Sequence, residues 1–339
     1  YSAEAARRDD ALSTTVPPAF SGALTSVFPS TTAAALTSLQ YGLAPGAHGM
    51  AGYTIFLPTA GRLVNLVRFK SVDGGSVDPK FLNARNMVPQ PSIYDRVRSA
   101  GIDTVVVSHQ EYADSPLTTI HSGDTRYLGH RTAAEFATLL RFATVQPGRR
   151  FVFGYWAGVD LVSHAWGPTS DTARLEAHLV QRALIEGLLR PLANEGGDVV
   201  VILTADHGHA TIDADRQLPL SELSRRAGSW LSPATGERRA VGLTPQASGE
   251  STLRDATQGE GAIVSMDEAV AHGLFGPPPY RPELSQRVGR YLLLAKNGAS
   301  FPYRSTNGAD KPFASGAHGS LSPVEMVVPL MVWLFGFTA

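Results

Sequence analysis

The sequence has no cysteine in its 339 residues. Disulfide bonds, thiolate metal ligands and cysteine nucleophiles are therefore excluded, although this absence does not identify the compartment. The formal net charge is only −1, so neither nucleic-acid polymers nor anionic membrane surfaces are expected as partners. No signal peptide is visible, and the long apolar run near the end, residues 326–337, is too short to span a bilayer.

The composition that is present, with 43% hydrophobic and 17% charged residues, is typical of a soluble globular enzyme. Apolar runs alternate with amphipathic segments, which predicts an α/β fold with a mostly parallel central sheet flanked by helices. The predicted strands are residues 104–108, 151–155, 199–204 and 326–335. The predicted helices are residues 32–41, 93–100, 133–143 and 172–192, the last with Asp171 as its N-cap.

The composition changes between residues 212 and 303, where Gly, Pro and Ser become more frequent. This stretch predicts a small inserted α+β cap, with strands at 239–243 and 261–265 and a helix at 282–291. The chain is thus divided into a core (1–211), a cap or lid (212–303) and a closing core segment (304–339). A helix-like stretch, residues 3–12, follows a first residue that is not Met, so we expect that sequence upstream is missing.

The first cluster that indicates chemistry is Asp160 and His164. Asp160 follows the predicted strand 151–155, and ligands of open α/β sheets bind outside the carboxyl ends of strands. His164 would share a face with Asp160 if one helical turn forms there. The alternative is an aspartate that caps a turn beside an ordinary surface histidine.

The second cluster, Asp206 and His207, follows the predicted strand 199–204 directly. Both side chains can face one ion only if the backbone turns sharply, and Gly208 would permit this turn. A structural role for Asp206 in an Asx-turn is the alternative. His209 is left open between a supporting position behind the ligands and a solvent-facing one.

Two further segments contribute candidates. His318 lies in a loop whose glycines suggest that the backbone passes close to something such as a ligand, although a lone histidine there could equally be ordinary surface. Thr31 and Thr32 lie at the start of an alanine-rich predicted helix, whose N-terminus favours an alkoxide or a bound phosphate. The alternative for these hydroxyls is simple N-capping. Carboxylate and imidazole are zinc ligands, so the clusters favour a metal-dependent hydrolase.

Together these segments resemble the alkaline phosphatase superfamily, specifically its type I phosphodiesterase/nucleotide pyrophosphatase branch. Residues 28–32 match Phe-Pro-x-x-Thr, and residues 42–49 match the following Gly-x-x-Pro-x-x-His-Gly, with Tyr41 in place of a Thr. Residues 160–167 match Asp-x-x-x-His-x-x-Gly, residues 205–208 match Ala-Asp-His-Gly, and residues 318–319 match a late His-Gly. The motifs span nearly the whole chain in the family's order.

The resemblance implies two divalent metal ions, zinc or else manganese. One ion would be held by Asp160, His164 and His318. The other would be held by Asp206, His207 and Thr32, with Thr32 as nucleophile and Thr31 as its substitute if the loop register differs by one. The implied activity is a phosphodiesterase or nucleotide pyrophosphatase that acts on a small-molecule phosphate ester through a phospho-threonine. His48 would be structural.

Two departures from the family's pattern stand out. The family has a further metal-binding Asp after its first strand, whereas Asp9 and Asp10 lie in a helical, Arg-rich context. The nucleotide pyrophosphatases also tend to have a phosphate-binding Asn near the position of Tyr53, and Asn65 follows only later. Nucleotide substrates are therefore not specified.

Other classes remain as alternatives. A phosphomonoesterase or phosphonate hydrolase of the same superfamily differs in loops outside the ligand set. A non-catalytic metal-binding relative is possible because the upstream Asp is missing. A sulfatase needs its Cys/Ser-x-Pro-x-Arg segment in the place of the nucleophile, and residues 28–32 do not have that pattern; the same spelling at residues 300–304 lies far from them in the sequence. A serine hydrolase needs a nucleophile elbow such as Gly-x-Ser-x-Gly, which the sequence lacks.

Overall fold

The structure, a computed structural model, describes residues 15–72, 77–78, 87–195, 197–246, 249–303 and 314–337. The strands are β1 (Phe20–Thr25), β2 (Thr54–Leu57), β3 (Arg62–Asn65), β4 (Lys70–Ser71), β5 (Asp103–His109), β6 (Arg126–His130), β7 (Arg150–Gly154), β8 (Val199–Thr204), β9 (Ala210–Thr211), β10 (Thr235–Gly236), β11 (Ala240–Leu243), β12 (Gly261–Ser265), β13 (Tyr291–Ala295), β14 (Gly316–Ala317) and β15 (Val327–Phe335).

The α-helices are α1 (Thr32–Tyr41), α2 (Pro45–His48), α3 (Ile93–Ser99), α4 (Pro116–Ser122), α5 (Ala133–Thr144), α6 (Gly158–Trp166), α7 (Asp171–Leu184), α8 (Arg190–Glu195), α9 (Leu220–Ala227), α10 (Glu250–Ala256), α11 (Met266–Ala271), α12 (Leu284–Val288) and α13 (Pro323–Met326). Short single turns cover Gln110–Tyr112 and Ala214–Arg216, and a π-helical turn, Ile185–Leu189, joins α7 to α8.

The core contains two three-stranded sheets. One is parallel, in the order β6-β5-β7, with helices α4 and α5 as its crossovers. The other is antiparallel, in the order β1-β15-β8. Both sheets contribute to one apolar cluster, where Val107 of the first and Trp333 of the second are buried with residues of α5 and α7.

The strand pairing corrects the predicted sheet. A mostly parallel sheet was expected because strands alternate with helices, but only the β6-β5-β7 sheet is parallel and the described sheets are mostly antiparallel. Within the described residues, strand β8 pairs only with β15. The long C-terminal strand runs back along β1 and β8, a pairing that an alternating strand–helix pattern does not reveal.

A further sheet has seven strands, in the order β12-β13-β11-β10-β2-β3-β4. It combines strands of the predicted cap with β2, β3 and β4 from much earlier in the chain. Gly236 pairs with Thr54 where the two segments meet. The boundaries of the predicted cap stay a prediction, but its sheet is continuous with this earlier segment.

Most predicted elements agree with the described ones to within one or two residues. The N-cap of α7 is Ser170, whose side chain accepts from the N–H of Ala173, and not Asp171, which is the first helical residue. The predicted helix 172–192 covers α7, the π-helical turn and part of α8. The predicted helix 282–291 is wrong at its end, because Tyr291 begins strand β13.

The structure adds elements that the sequence analysis did not predict, among them β1 and helix α9. The predicted helix 3–12, together with Asp9 and Asp10, lies outside the described residues. Within the described segments, none of the helices has the length and apolar character needed to cross a membrane.

Candidate active site

The first pair of candidate ligands lies on helix α6, shortly after strand β7. Gly158 opens the helix, and an added Cβ there would lie 2.2 Å from Oε1 of Glu176, so a larger residue would require that side chain to move. Asp160 and His164 share one face of the helix, with Oδ1 and Nε2 separated by 3.6 Å. The helical turn required for this pair is present.

The second pair follows strand β8. His207 is buried, and its Nε2 lies 3.6 Å from Oδ2 of Asp206. Oδ1 of Asp206 accepts from the N–H of His207 at 3.1 Å, whereas Oδ2 is buried without a hydrogen-bond partner. An added Cβ at Gly208 would lie 2.1 Å from the carbonyl oxygen of Val324, so this glycine is needed for space.

His318 follows strand β14 and lies beside the first pair. Its Nε2 is 3.2 Å from Nε2 of His164 and 3.7 Å from Oδ1 of Asp160. Its ring also stacks on that of His207, with centroids 3.7 Å apart and an angle of 22° between the planes. The three clusters of the sequence therefore meet at one place.

The glycines around His318 approach other parts of the chain. An added Cβ at Gly316 would lie 2.3 Å from the carbonyl oxygen of Ser163. Gly319 has a φ of 122°, and its added Cβ would lie 2.6 Å from Cβ of Glu237. The close approach predicted for this loop is present, but the partner is protein and not ligand.

His209 lies beside Asp160, His164 and His318. Its side chain is only 4% exposed, and its Nε2 lies 3.5 Å from Oδ1 of Asp160. One donor atom from each of Asp160, His164, His209 and His318 lies within 4.8 Å of the other three. The solvent-facing alternative for His209 is therefore wrong.

Backbone carbonyl groups orient three of the imidazoles. Nδ1 of His164 lies 3.0 Å from the carbonyl oxygen of Gly316, and Nδ1 of His207 lies 3.0 Å from that of Gly208. Nδ1 of His318 lies 2.8 Å from the carbonyl oxygen of Ser30. Because a carbonyl oxygen only accepts, we assign the proton of each ring to Nδ1, which leaves a lone pair on each Nε2.

This arrangement fits a divalent cation. The Nε2 lone pairs of His164 and His318 face each other at 3.2 Å, where two acceptors repel unless a cation lies between them. Oδ1 of Asp160 and Nε2 of His209 are buried without a hydrogen-bond partner. A tetrahedral zinc site with Zn–N distances of about 2.0–2.1 Å separates its ligand atoms by about 3.3 Å. Four of the six separations between these donor atoms, 3.2, 3.5, 3.6 and 3.7 Å, are close to that value.

Burial keeps His209 and His318 in the neutral form that suits a metal ligand. It lowers the pKa of His209 and of His318 well below the usual value, and the neighbouring histidines lower both further. Both imidazoles are therefore neutral near pH 7, as metal ligands must be. Burial also raises the pKa of Asp160, because a carboxylate in this place lacks the solvation that a bound cation would replace.

Thr32, at the first position of helix α1, has its Oγ1 3.1 Å from Nε2 of His207. Thr31, the alternative nucleophile, is buried and donates its hydroxyl hydrogen bond to Glu237. The side chain of Thr31 makes no capping hydrogen bond at the helix N-terminus, so simple N-capping does not explain the hydroxyl at this position. Of the two hydroxyls, that of Thr32 is the one that faces His207.

Tyr155, directly after strand β7, is a site residue that the sequence analysis missed. Its hydroxyl lies near the side chain of Thr32 and interacts with it. Burial, followed by the charges of Asp206 and Asp160, raises the pKa of Tyr155 well above its usual value, so the phenol keeps its proton. In the sequence it is indistinguishable from the last apolar residue of a buried strand.

Glu237 is a second residue that the sequence did not indicate. It lies in the turn between β10 and β11, in the predicted cap, and it is buried against Gly319. Its carboxyl group accepts from the hydroxyl of Thr31. Burial raises the pKa of Glu237 to about 8. No motif surrounds it, so only the fold places it beside the threonines.

Two other residues of the sequence analysis have structural partners. His48 is buried, accepts from the N–H of Met50 at Nδ1 and bonds Ser38 through Nε2. Oδ1 of Asn65 accepts from the N–H groups of the following turn, at 3.0 and 2.9 Å. These contacts agree with the structural role implied for His48.

The family model for type I phosphodiesterase/nucleotide pyrophosphatase matches residues 19–321. The chain belongs to the type I phosphodiesterase/nucleotide pyrophosphatase family. Membership supports the hydrolysis of phosphate esters as its chemistry, and the family is metal-dependent. No curated protein sequence matches this chain.

Solved structures share the fold of this family member. Phosphonoacetate hydrolase from Sinorhizobium meliloti, in complex with phosphonoacetate, is 18% identical, with a TM-score of 0.66 over 97% of this chain and 86% of that one. An inactive form of murine ectonucleotide pyrophosphatase/phosphodiesterase 5, in complex with AMP, is 16% identical, with a TM-score of 0.66 over 91% and 78%. At these identities the likeness establishes the fold and not the substrate.

Proposed function

We propose that this chain is a two-metal phosphodiesterase that acts through a covalent threonine intermediate. The first ion is assigned to Asp160, His164 and His318, and the second to Asp206, His207 and Thr32. Zinc is the preferred metal for these donors, with manganese as the alternative. The observation that carries the proposal is the 3.1 Å separation between Oγ1 of Thr32 and Nε2 of His207, beside the unpartnered Oδ2 of Asp206.

Bound divalent ions would lower the pKa of the attacking hydroxyl and stabilise charge on the leaving oxygen. Oγ1 of Thr32 attacks phosphorus, and the bond from phosphorus to one ester oxygen breaks. The proton lost from Thr32 is balanced by the proton that the departing alkoxide takes up. Water then cleaves the bond between phosphorus and Thr32 and releases a phosphomonoester.

The surroundings of Thr32 support this role. The N-terminus of α1 presents unpaired N–H groups and the positive end of the helix dipole to a bound phosphoryl group. The hydroxyl of Tyr155 orients Oγ1 of Thr32 from the side of strand β7. Thr31 is held aside by Glu237, so a single hydroxyl is left for attack.

We infer a small-molecule substrate, since the two relatives were solved with AMP and with phosphonoacetate. A phosphomonoesterase is the alternative, because the ligand set does not distinguish the two kinds of ester. The test compares bis(4-nitrophenyl) phosphate with 4-nitrophenyl phosphate as substrates of the full chain with added zinc or manganese. Preference for the diester is the expected result, and preference for the monoester supports the alternative.

Thr32→Ala is the matched variant for this assay, with Thr31→Ser as its control because serine keeps the hydroxyl that bonds Glu237. Thr32→Ala should abolish turnover of both esters while the protein still binds metal at Asp160, His164 and His318. Full activity of Thr32→Ala would show that Thr32 is not the nucleophile. Inactivity of the wild type towards both esters would instead favour the non-catalytic, metal-binding alternative.

A further inference from the structure

Ser30 joins the segment before helix α1 to the loop that carries His318. Its side chain is fully buried. The hydroxyl accepts a hydrogen bond from the N–H of Gly319 at 3.1 Å and donates one to the carbonyl oxygen of Ser320 at 2.8 Å. The N–H of Ser30 donates to the carbonyl oxygen of Gly319 at 3.4 Å. The hydroxyl and the N–H of Ser30 are thus both engaged by the two residues that follow His318.

The carbonyl oxygen of Ser30 contacts a candidate metal ligand. Nδ1 of His318 donates to this oxygen at 2.8 Å. The hydrogen bond holds the imidazole with its Nε2 on the side of Asp160, 3.7 Å from Oδ1. Ser30 therefore bonds one candidate ligand of the first ion directly, and its hydroxyl holds the backbone that follows this ligand.

Ser30 also lies two residues before the proposed nucleophile, Thr32, which begins helix α1 and is assigned to the second ion. Ser30 and Gly319 are 289 positions apart, so only folded contacts relate the two groups of ligands. Two ions roughly 3.5–4 Å apart clamp the attacking and leaving oxygens of an in-line displacement. A misplacement of about 1 Å can cost roughly a hundredfold in rate. A residue bonded to both groups is placed to control this spacing.

We propose that Ser30 is a positioning residue whose hydroxyl holds the His318 loop against the nucleophile segment and thereby sets the spacing of the two ions. The inference rests on the proposed function for the two ions, and it goes beyond it in naming the residue that couples their ligands. A hydroxyl suits this place because one group both accepts from an N–H and donates to a carbonyl oxygen. Alanine would leave the N–H of Gly319 and the carbonyl oxygen of Ser320 without this partner in the interior.

Zinc affinity measures this coupling separately from catalysis. Asp206→Asn removes a ligand of the second ion, and competition with a chromophoric chelator then measures zinc binding by the first group of ligands in the full chain. Ser30→Ala in this background should weaken zinc binding roughly tenfold, as the loss of groups that orient a metal ligand does. Ser122→Ala is the matched control, because its buried hydroxyl donates to the carbonyl oxygen of Thr118 within helix α4. The control should leave the zinc affinity unchanged.

Steady-state kinetics at saturating zinc provide the second measurement, with Asp206 intact. Ser30→Ala should lower kcat for the preferred ester roughly ten- to a hundredfold and change KM less than about twofold. Ser122→Ala should keep the kcat of the wild type. A hydroxyl with only a structural role would lower the thermal unfolding midpoint and leave kcat and zinc affinity as they are. Equal zinc affinity and equal kcat in Ser30→Ala and Ser122→Ala would overturn the inference.

Circular dichroism of the metal-free proteins checks that each variant is folded. Ser30→Cys carries the test if Ser30→Ala does not fold, because a thiol is similar in shape to the hydroxyl but is a weaker donor and acceptor. Ser30→Cys should also lower the zinc affinity and kcat. Wild-type values of both quantities in Ser30→Cys would overturn the inference.

Zinc binding and ester hydrolysis are separate measurements, so the two proposals can fail independently. Zinc affinity that depends on Ser30, in a protein that hydrolyses neither ester, supports the positioning role and contradicts the proposed function. Hydrolysis that requires Thr32, in a protein whose zinc affinity and kcat do not depend on Ser30, does the reverse.

Discussion

Oγ1 of Thr32 lies 3.1 Å from Nε2 of His207, a residue 175 positions further along the chain. Thr32 is placed by the N-terminus of helix α1, and His207 by the exit of strand β8. The carbonyl oxygen of Gly208 holds the His207 ring with its Nε2 lone pair towards Thr32. The hydroxyl of Thr32 beside Nε2 of His207 and the unpartnered Oδ2 of Asp206 is the arrangement from which the proposed chemistry follows.

Removal of the Tyr155 hydroxyl should slow the reaction without removing metal. Tyr155→Phe loses the interaction of the hydroxyl with Thr32 but keeps the aromatic ring after strand β7. An interaction of this kind is worth a few kcal/mol, so we expect kcat to fall roughly ten- to a hundredfold. Steady-state kinetics and metal analysis of the purified variant measure both quantities.

Tyr127→Phe is the control, since that hydroxyl bonds the carbonyl oxygen of His109 and not Thr32. Its kcat should stay near that of the wild type. Equal kcat values for Tyr155→Phe and the wild type would contradict the role assigned to Tyr155.

Glu237 should make the stability of the metal-free protein depend on pH. Burial raises its pKa from 4.5 to about 8, so between these values the folded chain holds a proton that the unfolded chain has released. The stabilisation is complete below the lower value and is lost as the pH rises through the upper one. The thermal unfolding midpoint of the wild type should therefore fall, relative to Glu237→Gln, as the pH rises through this window.

Glu186→Gln, at a residue on the helix surface, is the control. The pH dependence of its thermal unfolding midpoint should match that of the wild type. Parallel pH profiles for Glu237→Gln and the wild type would show that Glu237 is already ionised at neutral pH. In that case burial would not be the dominant influence on its carboxyl group.

The ion pair between Arg239 and Glu325 should be a major contribution to stability, because it ties the turn that carries Glu237 to the core. Both side chains are fully buried, and the two hydrogen bonds measure 2.8 and 2.9 Å. Glu325→Ala leaves an uncompensated guanidinium in the interior, so we expect a loss of about 3–5 kcal/mol in the free energy of unfolding. Urea denaturation measures this loss.

An exposed pair provides the comparison. Glu222 pairs with Arg225 and Arg226 at the surface, where solvent screens the charges, so Glu222→Ala should cost much less stability than Glu325→Ala. Similar losses in Glu222→Ala and Glu325→Ala would mean that burial adds nothing to the Arg239 pair.

The sequence predicted the local parts of this site well. Two strands with clear apolar runs precede the candidate ligands: β7 precedes Asp160 and His164, and β8 precedes Asp206 and His207. The four-residue spacing of Asp160 and His164 is sufficient to place both on one face of a helix. The order of the motifs along the chain was sufficient to indicate the family, which the match over residues 19–321 confirms.

The parts that failed depend on contacts between distant segments. The direction of strand β15 against β1 and β8 follows from tertiary packing and not from any local pattern, so the sheet was wrongly predicted as mostly parallel. Glu237 reaches Thr31 across 206 residues from a segment without motifs. His209 and Tyr155 could be recognised only once the neighbouring strands were in place.

Mass spectrometry of the acid-quenched protein during turnover of bis(4-nitrophenyl) phosphate tests the central claim most directly. The account predicts a 4-nitrophenylphosphoryl group on the peptide that contains Thr32, attached to Oγ1 of that residue and absent from Thr32→Ala. Rapid hydrolysis of the diester with no adduct on Thr32, and with full activity in Thr32→Ala, would contradict it.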